Sequence, residues 1–166
     1  MHVLLTPDEC RQATEAGKLR NKSQRDGSRA DGKVVEDSLG IDVQGAHAEL
    51  AVAKGLGLQW DGRFFNLEEW FDWRNEGHDV SGLEVRSTHH PHGSLILHPT
   101  DKNEAPFVLV LTHKKPEYIL AGWNFGSVGK VDKYWRDVGY GRPCYYLPQR
   151  ELKTMDLLVT RLRKVS

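Results

Sequence analysis

The chain has 166 residues, enough for one domain with its own core. Its 23 basic and 23 acidic residues give a formal charge of zero, so no global field draws it to nucleic acid or to an anionic membrane. No apolar run suits a membrane helix, no secretory signal opens the chain, and Cys10 and Cys144 lack metal-site spacing. These features together point to a cytoplasmic protein with reduced thiols.

The opening residues lead at once into a capped helix. Thr6-Pro7-Asp8-Glu9 is a capping box with proline at the first helical position. A first helix is expected from Pro7 to about Arg20. From Gly17 the composition shifts. Lys18, Arg20, Lys22, Arg25, Arg29 and Lys33 are interleaved with Ser, Asn, Asp and Gly, and apolar residues almost vanish. A basic, mobile segment over 17–40 is expected, either a solvated linker or an arm that contacts phosphates.

A second helix is expected from Gln44 to Lys54, ended by Gly55. Ala46, Glu49, Leu50 and Ala53 share one face at helical spacing, with His47 and Lys54 on the other side. An acid on an apolar face is penalised unless it reaches water or is compensated. Asn66 to Arg74 reads as a short helix with Asn66 as its N-cap, and Leu67, Trp70 and Phe71 as core packing.

The most informative stretch is Gly77-His78-Asp79-Val80-Ser81-Gly82-Leu83-Glu84-Val85-Arg86-Ser87-Thr88. Ser81-Gly82 makes a two-residue hairpin loop. Val80 then opposes Leu83, and Asp79 opposes Glu84 with Cβ atoms about 5 Å apart. Arg86 shares the face of Glu84, while Val80, Leu83 and Val85 point into a core. Like charges placed opposite each other destabilise a sheet. A divalent metal between them would remove that penalty. A solvated sheet edge with Arg86 as counter-ion is the plainer alternative.

Further strands are expected at Ser94–His98, Pro106–Thr112 and Glu117–Trp123. The second of these is apolar enough to be covered on both faces. Gly126 to Arg142 reads as a long excursion, Cys144–Leu147 as an edge strand, and Met155, Leu158, Val159 and Leu162 as the face of a closing helix. The sum is a single α+β domain over 1–166, with a mixed central sheet of about five strands flanked by helices.

Hard carboxylate oxygens favour Mg²⁺ or Mn²⁺, which activate water and neutralise phosphate charge. Arg86 would steady the crowded negative charge of a phosphodiester transition state. The carbonyl of Val85 is a candidate fourth donor beside Asp79, Glu84 and Glu49. If strand alternation runs past Arg86, Thr88 and His90 face Glu84, and His90 becomes a proton shuttle or phosphate ligand. His89 and His92 fit a polar turn at Pro91-His92-Gly93. Zinc lacks a matched ligand cluster.

These residues resemble the PD-(D/E)xK nuclease superfamily, the fold of many restriction enzymes, Holliday-junction resolvases and phage exonucleases. The resemblance covers about Gln44 to Trp123. Asp79 matches the family's first acid, Glu84-Val85-Arg86 its acid-x-lysine step, and Glu49 in Gly45-Ala46-His47-Ala48-Glu49-Leu50-Ala51 its helical glutamate. The compact length is similar to phage-encoded members, for which the location would be the host cytoplasm.

The resemblance implies a restriction-endonuclease-like core and Mg²⁺- or Mn²⁺-dependent hydrolysis of DNA in replication, recombination or repair. Homodimers are common in that superfamily. Asp79, Glu84 and Glu49 would bind metal, Arg86 would hold the scissile phosphate, and the basic segment with Arg161, Arg163 and Lys164 would contact backbone phosphates. Arg86 stands where the family has lysine, and arginine cannot act as a general base. That departure supports a second expectation: a catalytically inactive nuclease-fold protein that binds nucleic acid or a protein partner.

Overall fold

The structure is a computed structural model that describes residues 1–26, 38–62, 78–138 and 142–165. The expected helix at Asn66–Arg74, together with Arg29 and Lys33, lies outside the described residues.

A short strand, β1 (His2–Leu4), precedes the first helix, where the sequence offered only a helix start. The capping box then forms as expected. The Thr6 amide donates to Glu9 Oε2 at 2.6 Å, and the Glu9 amide donates to Thr6 Oγ1 at 3.2 Å.

Helix α1 runs over Pro7–Asp26, so residues 17–26 are helical and do not belong to a loop. The reason is the way α1 meets α2 (Ser38–Leu56). The two helices pack antiparallel, with Asn21 bonded to Asp42 at 2.7 Å, Thr14 to His47 at 2.9 Å, and Glu9 to Lys54 at 2.7 Å. At Gly17 a Cβ would stand 2.5 Å from Val43 Cα, so the backbones touch there. Contact through Ala13, Ala16, Gly17 and Asn21 needs no large apolar side chains, and the sequence lost its helical signal for that reason.

Helix α2 starts at Ser38, before the expected Gln44, and its cap glycine is Gly57 in place of Gly55. Gly57 adopts φ +67°, its amide donates to Lys54 O at 3.3 Å, and the Leu58 amide donates to Ala53 O at 2.8 Å. That pair of bonds is a Schellman ending. Gly55 lies within the helix, where a Cβ would stand 2.8 Å from Val3 of β1. Ala46 to Ala53 are all buried, because α1 covers one side of α2 and the sheet another.

The central sheet is mixed and four-stranded, in the order β1-β5-β4-β2. Its members are β1, β2 (Glu84–Thr88), β4 (Pro106–Lys114) and β5 (Glu117–Phe125). β2 runs parallel to β4, and the other neighbours are antiparallel. Strand β3 (Leu95–Leu97) does not join this sheet. It pairs with β7 (Cys144–Leu147), which also pairs with β6 (Trp135–Arg136), to make a second sheet ordered β3-β7-β6. Cys144–Leu147 is therefore an inner strand of the small sheet, not an edge. The expected sheet of about five strands resolves into four plus three.

Strand β4 serves both cores. Val108 and Val110 pack with α2, Val80, Leu83 and Val85, while Phe107, Leu109 and Leu111 pack with Leu95, Leu97, Tyr134 and Leu147. This is the two-sided burial its apolar run implied. A short helix α3 (Gly126–Gly129) begins the excursion, and α4 (Met155–Val165) closes the chain with Met155 and Leu158 buried. No helix among the described residues is long and apolar enough to cross a membrane.

His47 is buried in this packing, contrary to the outward face expected for it. The Thr14 hydroxyl donates to Cys10 O at 2.8 Å, so Thr14 can only accept from His47 Nε2, at 2.9 Å. His47 Nδ1 then accepts from the Tyr118 hydroxyl at 2.6 Å. The ring is neutral, and burial, helped by Lys115, lowers its pKa. The unfolded chain takes up this proton near pH 6.5 and the folded chain does so only at lower pH. Stability from this group is thus full above about 6.5 and falls as pH drops through the folded value. Denaturant titration from pH 7 to 5 should show that loss in the wild type, and its disappearance from the difference curve in His47→Gln.

Candidate functional site

The site grows from the hairpin. Val80 and Leu83 exchange both backbone hydrogen bonds, at 3.1 and 2.8 Å. Ser81 and Gly82 take φ +42° and +83°, the two positive values that a two-residue type I′ turn needs. Glycine meets that need without strain at the second position. Val80, Leu83 and Val85 are buried, as the alternation required.

The ladder stops at this one pair. His78 and Asp79 do not extend it as a strand. Asp79 turns its carboxylate onto the neighbouring backbone, and Oδ2 accepts the Val85 amide at 2.8 Å. That bond satisfies an edge amide of β2 and fixes Asp79 beside Glu84. Burial first, and then the charges of Glu49 and Glu84, push the Asp79 carboxyl up to about 7. The Val85 amide and Arg86 pull it the other way. Three acids from a helix, a turn and a strand therefore act on one another across the site.

Glu49 is buried on α2 and fully compensated. Arg20 of α1 grips it with two bonds, Nη1 to Oε1 at 2.6 Å and Nη2 to Oε2 at 2.9 Å, and Trp60 Nε1 reaches Oε2 at 3.3 Å. Arg20 also lies in the fields of Asp79 and Asp42. It is thus no part of a loose phosphate-contacting arm, as the basic segment suggested. Of the other basic residues expected there, Lys18 pairs with Glu15 at 2.8 Å on the surface, Lys22 is exposed, and Arg25 lies in the last turn of α1. At the other end of the chain, Arg161 lies over the Phe125 ring at 5.0 Å.

Glu84 meets His78 Nδ1 at 3.2 Å and stands 3.9 Å from Arg86 Nη1. Arg86 itself donates to Asp101 Oδ1 at 3.0 Å and to Val85 O at 3.4 Å, and its guanidinium lies over the Phe107 ring at 5.1 Å. The Val85 carbonyl, a candidate metal donor, is therefore already met by Arg86. Gln44 ties α2 to this strand through Ser87 Oγ at 3.0 Å.

His90 does not join the acids as expected. β2 ends at Thr88, so the alternation that would have aimed His90 at Glu84 stops short, and the ring is exposed in the following turn. Sequence reasoning also gave Arg20 a different role and missed Trp60, His78 and Asp101. The proximity of His78 to Asp79 was the one available cue. Asp101 sat in a turn indistinguishable from any polar surface turn.

Asp79 and Glu84 are the residues that would hold a hard cation, since Mg²⁺ is commonly held by one or two carboxylates with water and phosphate oxygens filling the rest. Glu49, with both oxygens engaged, does not fit as a direct ligand. Among the described residues no three His, Cys, Asp or Glu side chains are grouped to hold an ion.

No protein-family model matches this chain, no curated protein matches its sequence, and no solved structure matches its fold.

Two outcomes follow from this geometry. Arg20→Met leaves the buried Glu49 carboxyl without its cation and with only Trp60 Nε1 of the bonds described, which should cost about 3 kcal/mol of unfolding free energy by denaturant titration. Lys18→Met should change it little. In metal-free buffer the folded chain holds the Asp79 proton up to about pH 7. The unfolded chain releases it near pH 3.9. Stability from this group is full below about pH 4 and is lost as pH rises through about 7. The difference in unfolding free energy between wild type and Asp79→Asn should show that fall.

Proposed function

We propose that this protein is a metal-dependent nuclease with a restriction-endonuclease-like core, hydrolysing phosphodiester bonds of DNA in replication, recombination or repair. The observation that carries this reading is Asp79, a half-buried carboxyl fixed on the Val85 amide under the negative charge of Glu49 and Glu84. Repulsion between crowded carboxylates is what a bound cation relieves.

Asp79 and Glu84 would hold one Mg²⁺ or Mn²⁺. When bound, the ion supplies an activated water and neutralises charge on the phosphate. Arg86 would present its planar guanidinium fork to the scissile phosphate. Glu49, held in place by Arg20, would stand behind the two ligands as a third carboxylate that does not itself reach the ion. His78, bonded to Glu84, orients that carboxylate in the way that supporting groups orient metal ligands.

A second reading has its own observation. Arg20–Glu49 and Arg86–Asp101 already neutralise charge inside the site. That favours a nuclease-fold protein that binds nucleic acid, or a protein partner, without cleaving.

Calorimetric titration with Mn²⁺, beside incubation with plasmid and single-stranded DNA, separates the two. The nuclease reading expects Mn²⁺ binding and cleavage in the wild type. Asp79→Asn and Glu84→Gln should each lose at least about 100-fold in cleavage rate while keeping a cooperative melt. DNA binding with no metal uptake and no cleavage would establish the second reading.

A further inference from the structure

We propose that Asp101 is the positioning residue of this site, holding the Arg86 guanidinium in the attitude that receives a nucleic-acid phosphate. The inference rests on the nuclease reading above and adds to it a residue outside the acid motif.

Asp101 lies in the turn between β3 and β4, 15 residues beyond Arg86. Its Oδ1 accepts Arg86 Nη2 at 3.0 Å, and its Oδ2 accepts the His98 amide at 2.8 Å. The Asp101 amide donates back to His98 O at 3.1 Å, and its own carbonyl accepts Lys130 Nζ at 2.7 Å. Both carboxylate oxygens and both backbone groups are thus tied. The carboxylate is a rigid post, and it is one of the more buried polar groups near the site, its side chain only 13% exposed.

Arg86 needs such a post. A free arginine side chain loses rotamer entropy when it engages a phosphate, and fixing it beforehand removes that penalty from binding. Asp101 holds one edge of the guanidinium, and Phe107 supports a face at 5.1 Å. Nη1 also reaches the Val85 carbonyl at 3.4 Å, and the N–H donors beyond these two bonds are the ones a phosphate would take.

The sign of the effect makes the role testable. Asp101 is negative, so on charge alone its removal should tighten the binding of a polyanion. As a positioning residue, its removal should weaken that binding. The experiment measures the affinity of a short phosphorothioate DNA duplex by fluorescence anisotropy, with Ca²⁺ as the divalent ion. It compares wild type, Asp101→Ala, Arg86→Ala and the double variant, with melting curves for each. Asp101→Ala and Arg86→Ala are each expected to weaken binding about tenfold. The double variant should bind no worse than Arg86→Ala alone, because both act through one contact. Asp101→Asn keeps its one carbonyl oxygen on the His98 amide and turns an NH2 toward Arg86, so it keeps the turn closed and should weaken binding as Asp101→Ala does.

Binding unchanged or tightened in Asp101→Ala, or losses that add in the double variant, would overturn the proposal while leaving the nuclease reading intact. Duplex binding that follows the expected cycle without any Mg²⁺-dependent cleavage removes the nuclease reading and upholds the role of Asp101 in holding phosphate. Failure of the wild type to bind the duplex overturns the proposal, and the nuclease reading falls with it only if single-stranded DNA is not cleaved either.

Discussion

The two-pronged bond from Arg20 to Glu49 is the constraint on which the rest depends. A carboxylate on the inner face of α2 is tolerable only with a cation beside it. That cation comes from α1, so α1 must run well past Gly17 and lie close against α2. The close approach is met by Gly17 and two alanines. Once the helices are locked at that spacing, Glu49 projects its charge onto Asp79 at the start of the hairpin. Helix packing, an ion pair and the electrostatics of the site are one linked arrangement.

Strand β4 does the corresponding work on the sheet side. Its two faces feed separate cores, one shared with α2 and the hairpin, the other with the small sheet. β2 is held against it in register, so Glu84 and Arg86 inherit their positions from the most buried strand among the described residues. Phe107 on β4 reaches back beneath Arg86. The small sheet and the β3–β4 turn then bring Asp101 to the same guanidinium. The site therefore sits where both cores meet, although its polar groups are supplied by edges and turns.

Local chemistry explains what could be read in the sequence. The Thr6–Glu9 capping box and the Ser81-Gly82 turn are decided within a few residues, and both formed as written. The buried faces of Val80, Leu83 and Val85 follow from alternation around that turn. Features decided by distant partners were not legible. The polar run after Gly17 looked like a linker because its packing uses glycine and asparagine in place of leucine. His47 looked outward because α2 has two covered sides, and a single stripe cannot describe that. β3 was legible as a strand, but nothing within Leu95–Leu97 says which sheet it joins. Asp79 and Glu84 were brought together as proposed, yet through a side chain gripping an amide and not through a continuous ladder.

The parallel pairing of β2 with β4 has a consequence for the order of events in folding. Parallel neighbours cannot be joined by a tight turn. The chain must leave after Thr88, build β3, and return at Pro106 before β2 has a neighbour. Contacts of that separation form late and slowly. Glu49 of α2 is distant in sequence from Asp79 and Glu84, so its repulsion with Asp79 arises only when helix and hairpin dock. Interactions absent from the transition state act on the rate of leaving the native state. A cation lodged among these acids would lengthen the lifetime of the folded protein and leave the speed of reaching it almost unchanged.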